Sequence, residues 1–368
     1  MSRVPAPDSS MRLQSLDAFR GATIVSMLVV NNPGDGAHVF QQLDHAPWNG
    51  WTFTDLIFPF FLWIVGVSMT LSFARRIEAG SSRLAMFGHV ARRAAVIFLI
   101  GFAINFTSRW SFATVRIMGV LQRIGLCYLL AGAIYLAWPR LSAILLAAGA
   151  LLATYWILMT TVPVPGFGPG VLTPEGNLAR WIDGFVLNGH MWSVTKVWDP
   201  EGLVSSLPAI ATTLLGITCG MLLRASLDIA EKTAWMFSIG AGLIFAGAVM
   251  NIWLPINKNL WTSSYTVFMA GTAYAVFALF YWLIDARGFQ SWAKPFVIFG
   301  RNAIALFVLS DALAITMIKL HWIRPVFAGV FANFGSPKIA SLSFAIAHAL
   351  VMFLAAWMMW RKRFFLRV

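Results

Sequence analysis

Long apolar runs separated by short polar clusters give this chain its pattern. Stretches of the length a membrane-crossing helix needs, roughly 20 residues, are centred near Ser26, Trp63, Leu99, Leu126, Ala150, Leu214, Ile244, Tyr274, Leu306 and Leu350. The pattern predicts an all-α, polytopic integral membrane protein of about ten transmembrane helices. Between the fifth and sixth runs lies the longest non-spanning segment, 161–205, rich in glycine, proline and tryptophan. Its VPVPGFGPG stretch resists helix formation, because proline removes backbone donors and glycine costs backbone entropy. A structured loop or lid is expected there, within a single domain covering 1–368.

Composition agrees with a bilayer solvent. With 59% hydrophobic residues, 11% charged residues and a mean hydropathy of +0.75, the chain has too little polar surface for a soluble globule. The first fifteen residues are polar and the first apolar run has no small-residue cleavage pattern, so no cleaved leader is expected. Lysine and arginine set the orientation. With a cytoplasmic N-terminus, seventeen of the 27 fall on the cytoplasmic side, from Arg3, Arg12 and Arg20 to Arg361, Lys362, Arg363 and Arg367. Eight, including Arg109, Arg116, Lys196 and Lys258, fall on the other side, and Arg123 and Arg301 lie inside apolar runs. Both termini are therefore expected inside, with 161–205 extracytoplasmic. The net charge of +13 is then a topology and lipid-headgroup signal, and no nucleic-acid partner is expected.

Ionisable groups within spans are expensive and need a partner or a watery cavity. Arg123 follows Gln122, about two helical turns beyond Arg116, which predicts a mid-membrane position; Arg301 precedes Asn302 near the cytoplasmic end of its span. Either guanidinium could close a structural pair, with Asp55 or Asp311, or line a shaft for an anionic ligand, since guanidinium matches phosphate bidentately. Asn257 and Lys258 sit in a short turn before Trp261 that suits an interfacial anchor or a sugar-binding edge. Asp199 and Glu201 are expected to cap the next helix. Cys127 and Cys219 fall within spans and read as core residues. His38, His190 and His321 read as surface or interface residues, and His89 and His348 as helix-packing residues. No metal site and no phosphate-cradling glycine motif is expected.

The polar lip between the first two spans, Asn31 to Met69, carries the clearest chemistry. His45 stands there, and a neutral imidazole is a base suited to work near neutral pH. The segments RLQSLDAFRGATIVSMLVVNNPG, HAPWNGWTFTDLIFPFFLWIVGVSM, VRIMGVLQRIG, WDPEGL, PINKNLWTSS and GRNAIALFV resemble, in order, the blocks of the heparan-alpha-glucosaminide N-acetyltransferase family and its bacterial relatives. The resemblance implies a transmembrane acetyltransferase in a bacterial inner membrane. It would move acetyl from cytosolic acetyl-CoA to an amine of a glucosamine-like sugar on the far side. It implies His45 and Asn31 as catalytic residues, with Asn32 the adjacent alternative to Asn31. Arg123, Gln122, Arg301 and Asn302 would line the acetyl-CoA route. Trp48, Asn49 and Asp55 of the His45 block, with Asn257 and Lys258, form the expected acceptor set. The resemblance also allows a homodimer. An amino-sugar or anion permease is the competing class.

Overall fold

The computed structural model describes residues 13–195 and 197–366; Arg3, Arg12, Lys196 and Arg367, which enter the charge bias, lie outside them. The helices are α1 (Gln14–Asn31), α2 (Phe53–Glu78), α3 (Arg83–Arg109), α4 (Val120–Ala137), α5 (Leu141–Thr161), α6 (Leu178–Val186), α7 (Ser206–Arg224), α8 (Ile229–Met250), α9 (Ser263–Tyr281), α10 (Lys294–Arg301), α11 (Ala303–Lys319), α12 (Ile323–Val326) and α13 (Pro337–Arg361). Every expected span centre falls within one of them. Among the described residues, eight helices are long and apolar enough to cross a membrane, and α10 with α11 makes a ninth if that pair is one span. The pair is bent by 80° at Asn302. The tenth, α1, is helical, but Gln14, Asp17, Arg20 and Asn31 dilute its apolar character. The 161–205 segment contains α6, a short helix opened by the Asn177 side chain accepting from the Arg180 N–H.

Lipid supplies no hydrophobic drive between helices, so close packing has to hold the bundle together. Two glycine pairs make the closest approaches. A Cβ on Gly66 would stand 2.0 Å from the Thr213 carbonyl oxygen, and one on Gly216 would stand 2.0 Å from that of Trp63. Thus α2 and α7 cross backbone against backbone. Gly21 and Gly300 do the same for α1 and α10, with virtual Cβ atoms 1.7 Å from the Phe296 oxygen and 1.9 Å from the Asp17 oxygen. Around the first crossing, Phe19, Trp63, Tyr274 and Phe277 form a buried aromatic cluster, the Trp63 and Tyr274 rings 5.2 Å apart. α7 is mostly buried, whereas α3, α5 and α8 expose most of their apolar surface, as helices at a lipid boundary should.

Three expectations change. Arg123 lies in the first turn of α4, because residues 116–119 are not helical and the helix starts from an extended Gly119. It therefore stands at the His45 end of the bundle, not mid-membrane. Trp261 is fully buried and is no interfacial anchor. Asp199 and Glu201 do not cap α7, which begins at Ser206 without a side-chain cap; they bind Arg116. Cys127 and Cys219 are free and buried, as expected, and His348 packs inside against Ser310.

Gly216→Val should force α2 and α7 apart and cost about 1–3 kcal/mol or more. The expected result is a lower melting temperature in detergent and a smaller monodisperse fraction. A melting curve matching that of the unaltered protein would show that this crossing does not limit stability.

Candidate active site

The site begins as a helix cap. In TFTD, Thr52 is the N-cap of α2 and Asp55 its third residue, and the two form a capping box. Asp55 Oδ2 accepts the Thr52 N–H at 3.0 Å, the Ala46 N–H at 3.0 Å and the Thr52 hydroxyl at 3.1 Å. Its other oxygen, Oδ1, lies 2.6 Å from His45 Nδ1. Asp55 is buried, whereas the His45 side chain is 44% exposed. A carboxylate on Nδ1 fixes the tautomer: Nδ1 carries the proton and Nε2 is left as the basic nitrogen. One buried carboxylate therefore closes the helix end and orients an open imidazole.

The surrounding loop is held from several sides. After α1, the Gly34 N–H donates to the Ser341 carbonyl at 3.2 Å, and the Ser341 hydroxyl bonds both the N–H and the carbonyl of Asp35. The Gln42 side chain accepts from the Phe53 N–H at 3.0 Å, while Thr54 donates to the Gln42 carbonyl at 3.2 Å. The Gly50 N–H donates to the Ile256 carbonyl at 2.7 Å, and Asn257 Nδ2 donates to Asn49 Oδ1 at 3.1 Å. Trp48 Nε1 donates to the Leu172 carbonyl and its ring stands edge-on to Trp198. From below, the Tyr265 hydroxyl donates to the Asp55 carbonyl at 2.6 Å.

Beside this loop lies a second charged cluster. Arg116 binds Asp199 with two nitrogens, Nε to Oδ2 at 2.8 Å and Nη2 to Oδ1 at 2.5 Å, and Nη2 also donates to Glu201 Oε2. Burial disfavours the charged form of both Arg116 and Glu201, but their mutual attraction outweighs it: the guanidinium is held above its usual range and Glu201 below its own. Arg123, wholly buried, donates through Nη2 to the Gly202 carbonyl at 3.0 Å and to Ser205 Oγ at 2.5 Å. Its guanidinium stands 5.1 Å above the Trp261 ring. Trp261 is held in a left-handed backbone conformation at φ 53° and donates Nε1 to Thr212. Arg123 Nε and Nη1 and Gln122 Nε2 have no hydrogen-bond partner among the described residues. The charge of Lys258 is felt by both Asp55 and Glu201, which links the cluster to the His45 loop.

The expected site residues thus divide. His45, Trp48, Asn49, Asp55, Asn257 and Lys258 share one neighbourhood, with Arg123 and Gln122 in the adjoining helix end. The Asn257 amide is occupied in holding loops, accepting also from the Leu260 N–H. Asn31 ends α1, exposed and without a side-chain hydrogen bond among the described residues. Asn32 turns inward, donating to the Leu28 carbonyl at 2.8 Å and lying 3.5 Å from Ser310 Oγ. Arg301 and Asn302 stand at the opposite end of the bundle. The Asn302 amide donates to the Phe364 carbonyl and accepts from the Leu366 N–H, both at 3.1 Å, and Phe365 covers the Arg301 guanidinium at 5.0 Å. Neither Arg123 nor Arg301 pairs with Asp55 or Asp311. The role of Asp55 as orienter of His45 escaped the sequence reading, although TFTD before an apolar run is a capping signal. The Arg116 cluster joins residues more than eighty apart and has no local signature.

Asp183 of α6 supports the same wall, its Oδ1 accepting the Leu203 N–H at 2.9 Å. Burial pushes its carboxyl from 3.8 up to about 6. Because the folded protein holds that proton more tightly than the unfolded chain, the stabilisation is complete below about pH 4 and lost as pH rises through about 6. Melting temperatures between pH 4 and 7 should fall more steeply for the unaltered protein than for Asp183→Asn, a difference of at most about 3 kcal/mol. Parallel profiles would rule the protonated carboxyl out.

Comparison with known proteins bears on the chemistry. Residues 12–247 match the family model described as heparan-alpha-glucosaminide N-acetyltransferase, catalytic. The human heparan-alpha-glucosaminide N-acetyltransferase is 29% identical, over 81% of this chain and 52% of its own length. The mouse protein of the same name is 28% identical, over 83% and 54%. The chain spans about half the length of these curated relatives. The matched region holds the His45–Asp55 pair, the α4 arginine and the Asp199–Glu201 cluster, and it covers more than half of the sequence: the chain belongs to the heparan-alpha-glucosaminide N-acetyltransferase family.

Proposed function

We propose that this protein is a transmembrane acetyltransferase that moves acetyl from acetyl-CoA, supplied at the cytoplasmic face, to the amine of a glucosamine-like sugar at the His45 face. The observation that carries the reading is the His45–Asp55 pair, an exposed imidazole with its Nδ1 held by a buried carboxylate, inside the region that matches the family's catalytic model. An ammonium cannot attack a thioester. The ammonium loses one proton to solvent, His45 Nε2 takes a second from the amine nitrogen as it adds to the thioester carbonyl, and collapse of the adduct breaks the carbon–sulfur bond. The imidazolium then returns its proton to the leaving thiolate, giving the amide and CoA. Asp55 keeps Nδ1–H aimed and stabilises the charged ring, as carboxylates do behind catalytic histidines. In the alternative order His45 carries the acetyl group covalently, with ping-pong kinetics.

Acetyl-CoA would reach the site from the far end. Arg301, whose Nε lacks a partner, suits the phosphates, and the unpaired N–H groups of Arg123 and Gln122 suit the carbonyl groups of the pantetheine arm. The two arginines stand at opposite ends of a bundle whose α4 rises roughly 27 Å, so they would meet opposite ends of one long substrate. Asn31 or Asn32 would donate to the developing oxyanion, an interaction worth about 3 kcal/mol. Basic residues crowd the Arg301 end, from Arg75 and Arg76 to Arg361–Arg363, which supports the cytoplasmic assignment.

Purified protein given acetyl-CoA and glucosamine should release CoA and form the N-acetyl product. His45→Ala should abolish both, and Asp55→Asn should lower kcat by about 10²–10⁴ with a smaller change in KM. Arg301→Ala should weaken acetyl-CoA binding. Full activity in His45→Ala would overturn the proposal, and glucosamine uptake into vesicles without CoA release would assign a permease in its place. CoA release before acceptor is added would select the covalent route.

A further inference from the structure

At the end of the bundle away from His45, a cleft of about 510 Å³ opens between the start of α3 and the turn joining α4 to α5. Its walls include Arg83, Trp138, Arg140, Ser142, Ala143 and Leu146, none of which belongs to the acetyl-transfer site. Arg83 is the first residue of α3 and Arg140 the N-cap of α5. Both side chains are exposed, and neither guanidinium makes a hydrogen bond or ion pair with any described residue, so two like charges face one cleft. The first turn of α5 adds to the positive potential: its N-cap contributes no side-chain hydrogen bond, Ser142 and Ala143 of that turn line the cleft, and a helix start carries free N–H groups and the positive end of the dipole. Guanidinium forks and free helix N–H groups are donors that fit phosphate oxygens.

The other wall has a different character. Leu146 and Trp138, which line the cleft, are 76% and 63% exposed, and Leu141 and Leu145 of the same helix turns, outside the lining, are about half exposed. The leucines lie on α5, whose surface is largely outward-facing and apolar, and Trp138 is the C-cap of α4. A cationic mouth therefore runs directly into a leucine-covered lipid face, with an indole at the boundary where tryptophan favours the headgroup region. A free phosphate or a soluble nucleotide would use the mouth and leave the apolar wall unused. We propose that this cleft is a binding site for one anionic phospholipid, its phosphodiester held between Arg83, Arg140 and the start of α5, and an acyl chain lying along Leu145 and Leu146. Arg75 and Arg92, exposed at the same end, are outside the cleft and serve as controls of equal charge.

The test is native mass spectrometry of delipidated full-length protein titrated with dioleoyl phosphatidylglycerol or dioleoyl phosphatidylcholine, with thermal melting to verify folding. The unaltered protein and R75Q/R92Q should each retain one phosphatidylglycerol in preference to phosphatidylcholine. R83Q/R140Q should bind it roughly tenfold or more weakly. Equal retention by R83Q/R140Q, equal loss in R75Q/R92Q, or equal affinity for phosphatidylcholine would overturn the proposal. Displacement by inorganic phosphate or by CoA at matching concentration would also overturn it, by making the occupant a soluble anion.

Discussion

One carboxylate supports two structures at once. Asp55 uses Oδ2 to satisfy the loop and helix N–H groups at the start of α2, and Oδ1 to hold the His45 ring. The first task is an ordinary one at a helix N-terminus, where orphan donors and the helix dipole both favour an anion. The second turns that anion into an orienting group. Because both oxygens are engaged, the carboxylate cannot swing, and the imidazole inherits its position from the most central pair of helices, α2 against α7. The glycine crossing of those helices thus bears on the chemistry as much as on the packing.

The charged cluster beside the loop follows another rule. Arg116 and Arg123 bring two positive charges against Asp199 and Glu201, and Asp183 adds a carboxyl that burial keeps protonated further up the pH scale. The balance is possible because Arg116 takes most of the available acceptors. Arg123 is left with one nitrogen bonded and the face of its guanidinium against Trp261. Trp261 takes that position in a left-handed conformation at the end of the turn that Asn257 ties together.

The spans were legible because bilayer thickness imposes a length on every apolar run, and each expected centre lies in a helix. Two signals misled. An arginine seven residues after Arg116 reads as two turns deeper only if the helix is continuous, and Gly119 ends that continuity. Acidic residues before α7 read as caps because capping is local, whereas their actual partner, Arg116, lies more than eighty residues away. The bend at Asn302 has no proline to announce it. It arises where Gly300 presses on α1 and the Asn302 amide is taken by the backbone at Phe364 and Leu366. His45 stands out by residue type and by its block, whereas Asp55, the partner that positions it, reads in the sequence as an acceptor-binding residue or an arginine's counter-ion.

The loop that carries His45 is stitched to parts of the chain made much later. Gly50 is tied at Ile256, Asp55 at Tyr265, and Asp35 at Ser341, all beyond the stretch matched by the family's catalytic model. During synthesis, α1 and α2 can insert and pair His45 with Asp55 long before those anchors exist. The histidine is thus present early, but its loop gains its last anchor only once α13 has been threaded in. Assembly order itself then separates a half-built protein from a working one, and a ribosome that stops short leaves a base without its frame.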